Sequence, residues 1–145
     1  MHSEEPKLTF YRSSKPALFA ALCRINTLYM VARCGSGHLG SSFSSMEIMS
    51  YLHLIKLRVN KDDETAFASD LFFSSKGHDA PALYSVLYAL GVISLKKILK
   101  LRRLDGLEGH PDIATPGIEA NTGSLGMGIS KAKGMVWAKK YGSSP

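Results

Sequence analysis

Three of the five histidines directly follow a glycine in stretches rich in turn-forming residues, as Gly37-His38, Gly77-His78 and Gly109-His110. Because glycine has no Cβ and tolerates positive φ, such a turn can bring an imidazole close to a ligand. The imidazole can donate or accept a proton near neutral pH. Two interpretations stay open from these residues alone: loops that converge on one phosphorylated or polyhydroxylated ligand, or unrelated turns with exposed histidines.

A glycine-rich run at residues 122–128 leads into a predicted helix and favours phosphate binding. Glycine N–H groups can approach an anion at the positive end of the helix dipole. Close helix packing through small residues explains the same pattern, so both interpretations stay open here. The GxGxxG match at residues 35–40 follows a predicted helix rather than a strand, which argues against a nicotinamide dinucleotide site. Cys34 and His38 lack further ligands at metal-site spacing, so no metal site is predicted.

The composition is typical of one globular domain, with 145 residues, 45% hydrophobic and 21% charged. The net charge of +6 comes from scattered Lys and Arg, which indicates solvated helix faces and would attract an anionic sugar phosphate. Neither zinc-finger spacing nor an aromatic-basic RNA motif occurs, so no nucleic-acid partner is expected.

The two cysteines, Cys23 and Cys34, form no regular framework and are expected to be reduced thiols in a cytoplasmic protein. The polar, acidic N-terminus and the absence of any apolar run near the length of a membrane span predict a chain that is neither exported nor membrane-embedded.

The elements that must position these loops are mostly helices. Residues 1–13 are predicted to be a polar arm. Five helices are predicted: from Pro16 (Ser14 cap) to Gly35, from the capping box Ser44-x-x-Glu47, from Pro81 to Gly91, from Ser94 to Asp105, and from the glycine run to Gly142. An acidic turn at 62–64 precedes the one predicted strand, Asp70–Ser75. A lone strand has no sheet to join, so we expect strands from outside this chain to complete the fold.

The loops, taken in order, resemble the N-terminal segment of transketolase over about residues 15 to 142. The four matching motifs are SGHLGSS at 36–42, SSKGHDAPALY at 74–84, GHPD at 109–112 and PGIEANTGSLGMG at 116–128. The resemblance is strongest to transketolases that are split into separate N- and C-terminal chains. It implies a thiamine-diphosphate-binding α/β fold, with helices around part of a parallel sheet and the cofactor at a dimer interface.

By this resemblance, thiamine diphosphate would be contacted by His78 and by the backbone of Gly123, Ser124 and Leu125, and more weakly by Ser41. His38 and His110 would line the channel where the sugar meets the cofactor and would be the catalytic side chains. The implied activity is transfer of a two-carbon ketol unit from a ketose phosphate to an aldose phosphate. This reaction would belong to carbohydrate metabolism, in the pentose phosphate pathway.

The sequence departs from the family pattern at Leu39, usually proline, at Asp79, usually a small residue, and at Met127, usually glutamine. It also stops at Pro145, before the Gly-Asp-Gly motif that helps to hold Mg²⁺. We therefore expect residues 14–145 to be the N-terminal part of a truncated domain. Its magnesium ligands and its C-terminal segment would lie outside this chain, within a homo- or hetero-oligomer. The chain alone is expected to be inactive. A non-catalytic remnant or assembly module is the alternative.

Overall fold

The regular structure of the described part of the chain is helical. The computed structural model describes residues 15–58 and 70–141. Its helices are α1 (Pro16–Cys34), α2 (Leu39–Tyr51), α3 (Ala80–Ala89), α4 (Leu95–Ile98) and α5 (Gly128–Tyr141), and a π-helical turn, Leu52–Lys56, continues α2. The predicted arm at 1–13, the Ser14 cap, the acidic turn at 62–64 and Gly142 lie outside the described residues.

Helix α1 begins at Pro16 and ends at Gly35 as its sequence predicts, but its N-cap position is Lys15 and not the predicted Ser14. Pro16 occupies the first turn, where its missing N–H costs no hydrogen bond. Gly35 ends the helix in the left-handed conformation, φ +74°, and its N–H donates to Val31 O at 2.9 Å. Residues such as Phe19 and Met30 bury one face of α1 against α2 and α3.

By length and composition alone, α1 is long and apolar enough to cross a membrane. The expectation that no apolar run approaches that length is therefore wrong for this helix. The core helix of a globular protein passes the same test, and α1 packs here against α2 and α3.

Helix α2 starts earlier than its capping-box pattern predicts. It begins at Leu39, so Ser44 and Glu47 lie inside the helix and cannot form the box, and Glu47 pairs with Arg24 of α1. The Ser44 hydroxyl donates to Ser41 O at 3.0 Å. Because α2 begins at Leu39, His38 occupies its N-cap position, directly before the helix.

Helix α3 lies at the centre of the core. Nine of its ten residues are buried, and it packs against both α1 and α2. Ser85 Oγ donates to Cys23 O at 2.8 Å and Thr27 Oγ1 donates to Pro81 O at 3.4 Å, so two polar groups in the α1–α3 contact are satisfied. The predicted helix from Pro81 to Gly91 is confirmed within about one turn.

Helix α4 is much shorter than predicted, ending at Ile98 rather than near Asp105. The chain turns back because Arg102 and Asp105 adopt left-handed φ angles of +55° and +58°. Leu101 and Leu107 form an isolated bridge across this turn, and both are buried.

The segment predicted as a strand has no ladder partner, and the described residues contain no strand. The parallel sheet therefore stays a prediction. Apolar residues of the helices differ in exposure: Ile55 and Trp137 are exposed, whereas Leu52 and Met135 are half-buried. In α5 only Gly128 is buried, so most of that helix presents an uncovered surface.

Candidate functional site

The loop before α2 meets the loop before α3 through their histidines. The ring centroids of His38 and His78 lie 5.2 Å apart. Lys76 Nζ donates to Ser41 O at 3.1 Å and ties the same two loops together. His78 Nδ1 lies 2.9 Å from Lys76 O, and a carbonyl oxygen only accepts, so Nδ1 carries the proton. His78 Nε2 has no hydrogen-bond partner among the described residues.

Two glycines bring the His78 loop against the glycine run. Gly77 has φ +70°, and a Cβ built on it would lie 2.5 Å from Gly123 Cα, so the two backbones touch. Gly123 has φ +149°, and a Cβ built there would lie 3.0 Å from His110 Cδ2. The loops of His78 and His110 therefore lie on either side of Gly123.

The N-terminus of α5 is attached to the His78 loop. Gly128 N–H donates to Ser75 Oγ at 3.1 Å, and a Cβ on Gly128 would lie 2.4 Å from Ser75 Cβ. This contact directs the positive end of the α5 dipole, which favours negative charge, toward the meeting point of the loops. The structure thus brings the Gly-His loops and the glycine run together, as the first of the two interpretations requires.

Residue His110 is held through its backbone. Its carbonyl accepts a hydrogen bond of 2.9 Å from the hydroxyl of Tyr84, a fully buried residue of α3. Burial raises the pKa of the Tyr84 phenol, and the carboxylates of Glu108 and Asp112 raise it further, so the phenol stays a donor. Beside the imidazole lies an open cavity of about 440 Å³, lined by Arg102, Arg103, Leu104, Glu108, Gly109 and His110.

A buried carboxylate network underlies the His78 loop. Asp79 is 0% exposed, and its Oδ2 accepts a hydrogen bond from Ser74 Oγ at 2.7 Å and lies 3.7 Å from Lys76 Nζ. Sequence reasoning noted Asp79 only as a departure from the family and missed Lys76 and Ser74. The signal available was the opposite charges of Lys76 and Asp79 three residues apart, on either side of Gly77-His78.

Several donors at the meeting point have no partner among the described residues. The hydroxyl oxygens of Ser41 and Thr122 are buried and unpaired. The backbone N–H groups of Gly123, Ser124 and Leu125 donate to no described residue. Buried polar groups are normally satisfied, so the Ser41 and Thr122 hydroxyls suit a ligand rich in acceptor oxygens. The N–H groups of Gly123, Ser124 and Leu125, which belong to half-buried or exposed residues, are accessible to the same anionic ligand. Within residues 15–58 and 70–141, no group of three or more His, Cys, Asp or Glu could hold a metal ion.

Comparison with known proteins gives one consistent result. The profile of the family described as "Transketolase, thiamine diphosphate binding domain" matches residues 16–144. "Transketolase-like protein 2" of Mus musculus is 39% identical over 119 residues, which are 81% of this chain and 19% of the relative. One subunit of the apulose-4-phosphate transketolase of Phocaeicola vulgatus is 39% identical over 112 residues, which are 77% of this chain and 40% of the relative.

The solved structure of transketolase from Leishmania mexicana superposes with a TM-score of 0.78 at 28% identity, covering 86% of this chain and 19% of that one. The described helices and loops thus have the thiamine-diphosphate-binding fold, although the chain spans only about a fifth of the length of such relatives. Because the family profile covers most of the sequence and the four loops carry the motifs in order, this chain belongs to the transketolase family through its thiamine diphosphate-binding domain.

Proposed function

We propose that this chain supplies part of the active site of a transketolase, which transfers a two-carbon ketol unit from a ketose phosphate to an aldose phosphate. The observation that carries the proposal is the backbone contact between Gly77 and Gly123, where the His78 loop, the His110 loop and the glycine run meet around unpaired donors. If the histidines lay in unrelated, exposed turns, the contact between the two loops would not require glycine at both Gly77 and Gly123.

The residues at this meeting point fit a diphosphate. The hydroxyls of Ser41 and Thr122 and the N–H groups of Gly123, Ser124 and Leu125 are donors without described partners. We assign them, with His78, to holding thiamine diphosphate. When bound, this cofactor supplies the electron sink that allows a carbon–carbon bond next to a carbonyl to break. The ammonium of Lys76, whose Nζ lies 3.7 Å from Asp79 Oδ2, would offset negative charge from this carboxylate near the diphosphate.

We assign His38 and His110 to the reacting sugar. Each follows a glycine, and each lies one contact away from the proposed cofactor loops, His38 beside the ring of His78 and His110 beside Gly123. In these positions the imidazoles would donate hydrogen bonds to sugar oxygens and exchange protons with them near neutral pH. The Tyr84 hydroxyl would keep the His110 loop in place during these transfers.

Turnover would require segments that this sequence does not contain. The chain spans 19% of transketolase-like protein 2 and 40% of a relative that is itself one subunit of a transketolase, which supports a partner chain and a sugar phosphate substrate. We place the Mg²⁺ ligands on such a segment. The complex would be a cytoplasmic homo- or hetero-oligomer that binds neither nucleic acid nor membrane.

The second candidate is a non-catalytic assembly module that would pack on a partner through the uncovered surface of α5. Ile129, Val136 and Trp137 are each more than 60% exposed. Large apolar side chains clustered on a solvent-exposed surface are typical of a face that packs on another segment. Both candidates need a partner, so turnover in the completed complex discriminates between them.

The test uses this chain mixed with a complementing chain that supplies the remaining segments of a transketolase. Ketol transfer should be at background for the chain alone and measurable for the mixture. His78→Ala should mainly weaken thiamine diphosphate binding, whereas His38→Ala or His110→Ala should mainly lower kcat with the cofactor still bound. An unchanged cofactor affinity in His78→Ala refutes the assigned contact, and a mixture that binds cofactor without turnover favours the assembly module.

A further inference from the structure

The side chain of Arg102 touches two histidine loops that are far apart in sequence. Its Nη1 donates to Ser36 Oγ at 2.9 Å, two residues before His38. A Cβ built on Gly109 would lie 3.0 Å from Arg102 Nε and 3.1 Å from Cζ, so the guanidinium lies against the backbone directly before His110. One side chain thus reaches both loops assigned to the sugar.

The backbone of Arg102 is held in an unfavourable conformation. Arg102 and Asp105 are the non-glycine residues with positive φ among those described, and Arg102 has φ +55°. A left-handed conformation costs free energy for a residue with a Cβ and persists only where the surroundings impose it. Here an exposed turn anchored by the buried Leu101 and Leu107 imposes it, because Arg102 N donates to Leu107 O at 2.7 Å beside the Leu101–Leu107 bridge.

The contacts explain why arginine and glycine stand at these positions. A guanidinium is planar and carries donors on three nitrogens, so one edge can bond Ser36 while the flat group lies against Gly109. A lysine ammonium is a compact charge and cannot do both. Any side chain at Gly109 would press on the guanidinium at about 3 Å.

We propose that Arg102 is a positioning residue that fixes the separation of His38 and His110 by clamping the Ser36 and Gly109 loops together. The proposal rests on the proposed function insofar as it treats these two histidines as the pair that faces the sugar. Arg102 acts through Ser36 and Gly109 rather than through either imidazole.

Amide hydrogen exchange read by mass spectrometry tests the coupling in the full chain, without cofactor or partner. Ser36→Ala alters one loop, and the readout is exchange in the other, residues 107–112. With Arg102 present, Ser36→Ala should speed exchange there by about threefold or more, since a hydrogen bond to a charged donor is lost. In the Arg102→Lys background the clamp is already gone, so Ser36→Ala should add nothing.

Two references make the result specific. Arg33→Lys changes an exposed arginine whose side chain makes no hydrogen bond or ion pair with the described residues, and it should leave exchange at 107–112 unchanged. Peptides from α3, the core helix, report the integrity of the fold in every variant. No effect of Ser36→Ala on 107–112, an equal effect in both backgrounds, or an effect shared with α3 overturns the clamp.

The exchange experiment contains neither cofactor nor substrate, so its outcome does not depend on the proposed activity. In the complex with a complementing chain, Arg102→Lys should lower kcat by about tenfold while the thiamine diphosphate affinity is retained. Undiminished kcat there overturns the positioning role even if the loops are coupled.

Discussion

Replacing Gly77 by alanine attacks the contact on which the site is built. Two penalties apply at this position. The backbone has φ +70°, which costs a residue with a Cβ about 1–2 kcal/mol. In addition, the new Cβ would lie 2.5 Å from Gly123 Cα and 2.6 Å from Gly123 N, so the two loops must separate. Overpacking of this kind costs about 1–3 kcal/mol.

Gly35→Ala is the matched control because it carries the first penalty without the second. Gly35 has φ +74°, and a Cβ built there meets nothing within 4 Å. Gly77→Ala should therefore destabilise the chain by about 1–3 kcal/mol more than Gly35→Ala. For a chain of this length the difference corresponds to a Tm lower by about 3–12 °C.

Thermal unfolding followed by far-UV circular dichroism at low micromolar concentration measures the difference. Dilution limits association through the exposed apolar residues of α5, such as Trp137. Equal Tm values for the two variants would refute the account, because they would mean that the Gly77 and Gly123 loops do not touch. Gly77→Ala should also weaken cofactor binding in the completed complex, which Gly35→Ala should not.

Three further predictions concern buried groups. Asp79→Ala should destabilise the chain by about 2–3 kcal/mol, because a fully buried, hydrogen-bonded carboxylate is lost. The control Asp70→Ala, which removes an exposed ion pair with Arg58, should cost far less. Similar midpoints of urea unfolding for the two variants would contradict this. Burial lowers the pKa of His53, so the folded state binds a proton less readily than the unfolded state. Stability should therefore be full above about pH 6.5 and fall as the pH drops below it. His53→Gln should flatten that fall, and an unchanged slope of Tm against pH would exclude this group. Burial raises the pKa of Cys23 to about 12, so iodoacetamide should alkylate only half-buried Cys34 in the native chain and both cysteines in denaturant; two native adducts would show that Cys23 is accessible.

Local sequence patterns predicted the helices whose ends are determined by the chain itself. Helix α1 begins at Pro16 and ends at Gly35 because a fixed proline φ and a left-handed glycine act locally. The start of α2 could not be predicted in this way. Residues 39–43 join the helix ahead of the capping-box pattern, and Glu47 pairs with Arg24 of another helix, a tertiary contact that is not visible in local spacing.

The convergence of the Gly-His loops was predictable from three glycine-histidine pairs and a glycine run. The parts that join these loops were not. Arg102 lies where the sequence predicted a continuous helix, and its left-handed φ, which helps to turn the chain back after α4, is a property that arginine rarely shows. Asp79 reads as a charged loop residue, because its burial depends on how α3 is covered by its neighbours.

Cofactor-dependent protection of the glycine run tests the central claim most directly. The chain, mixed with a complementing transketolase chain and Mg²⁺, is titrated with thiamine diphosphate, with thiamine as the matched ligand that lacks phosphates. Amide exchange is followed at residues 122–128, where the Gly123, Ser124 and Leu125 N–H groups have no described partner. We predict that thiamine diphosphate slows exchange there, that thiamine does not, and that His78→Ala raises the concentration required. Equal protection by both ligands, or protection that spares residues 122–128, would contradict the assignment of these loops to the diphosphate.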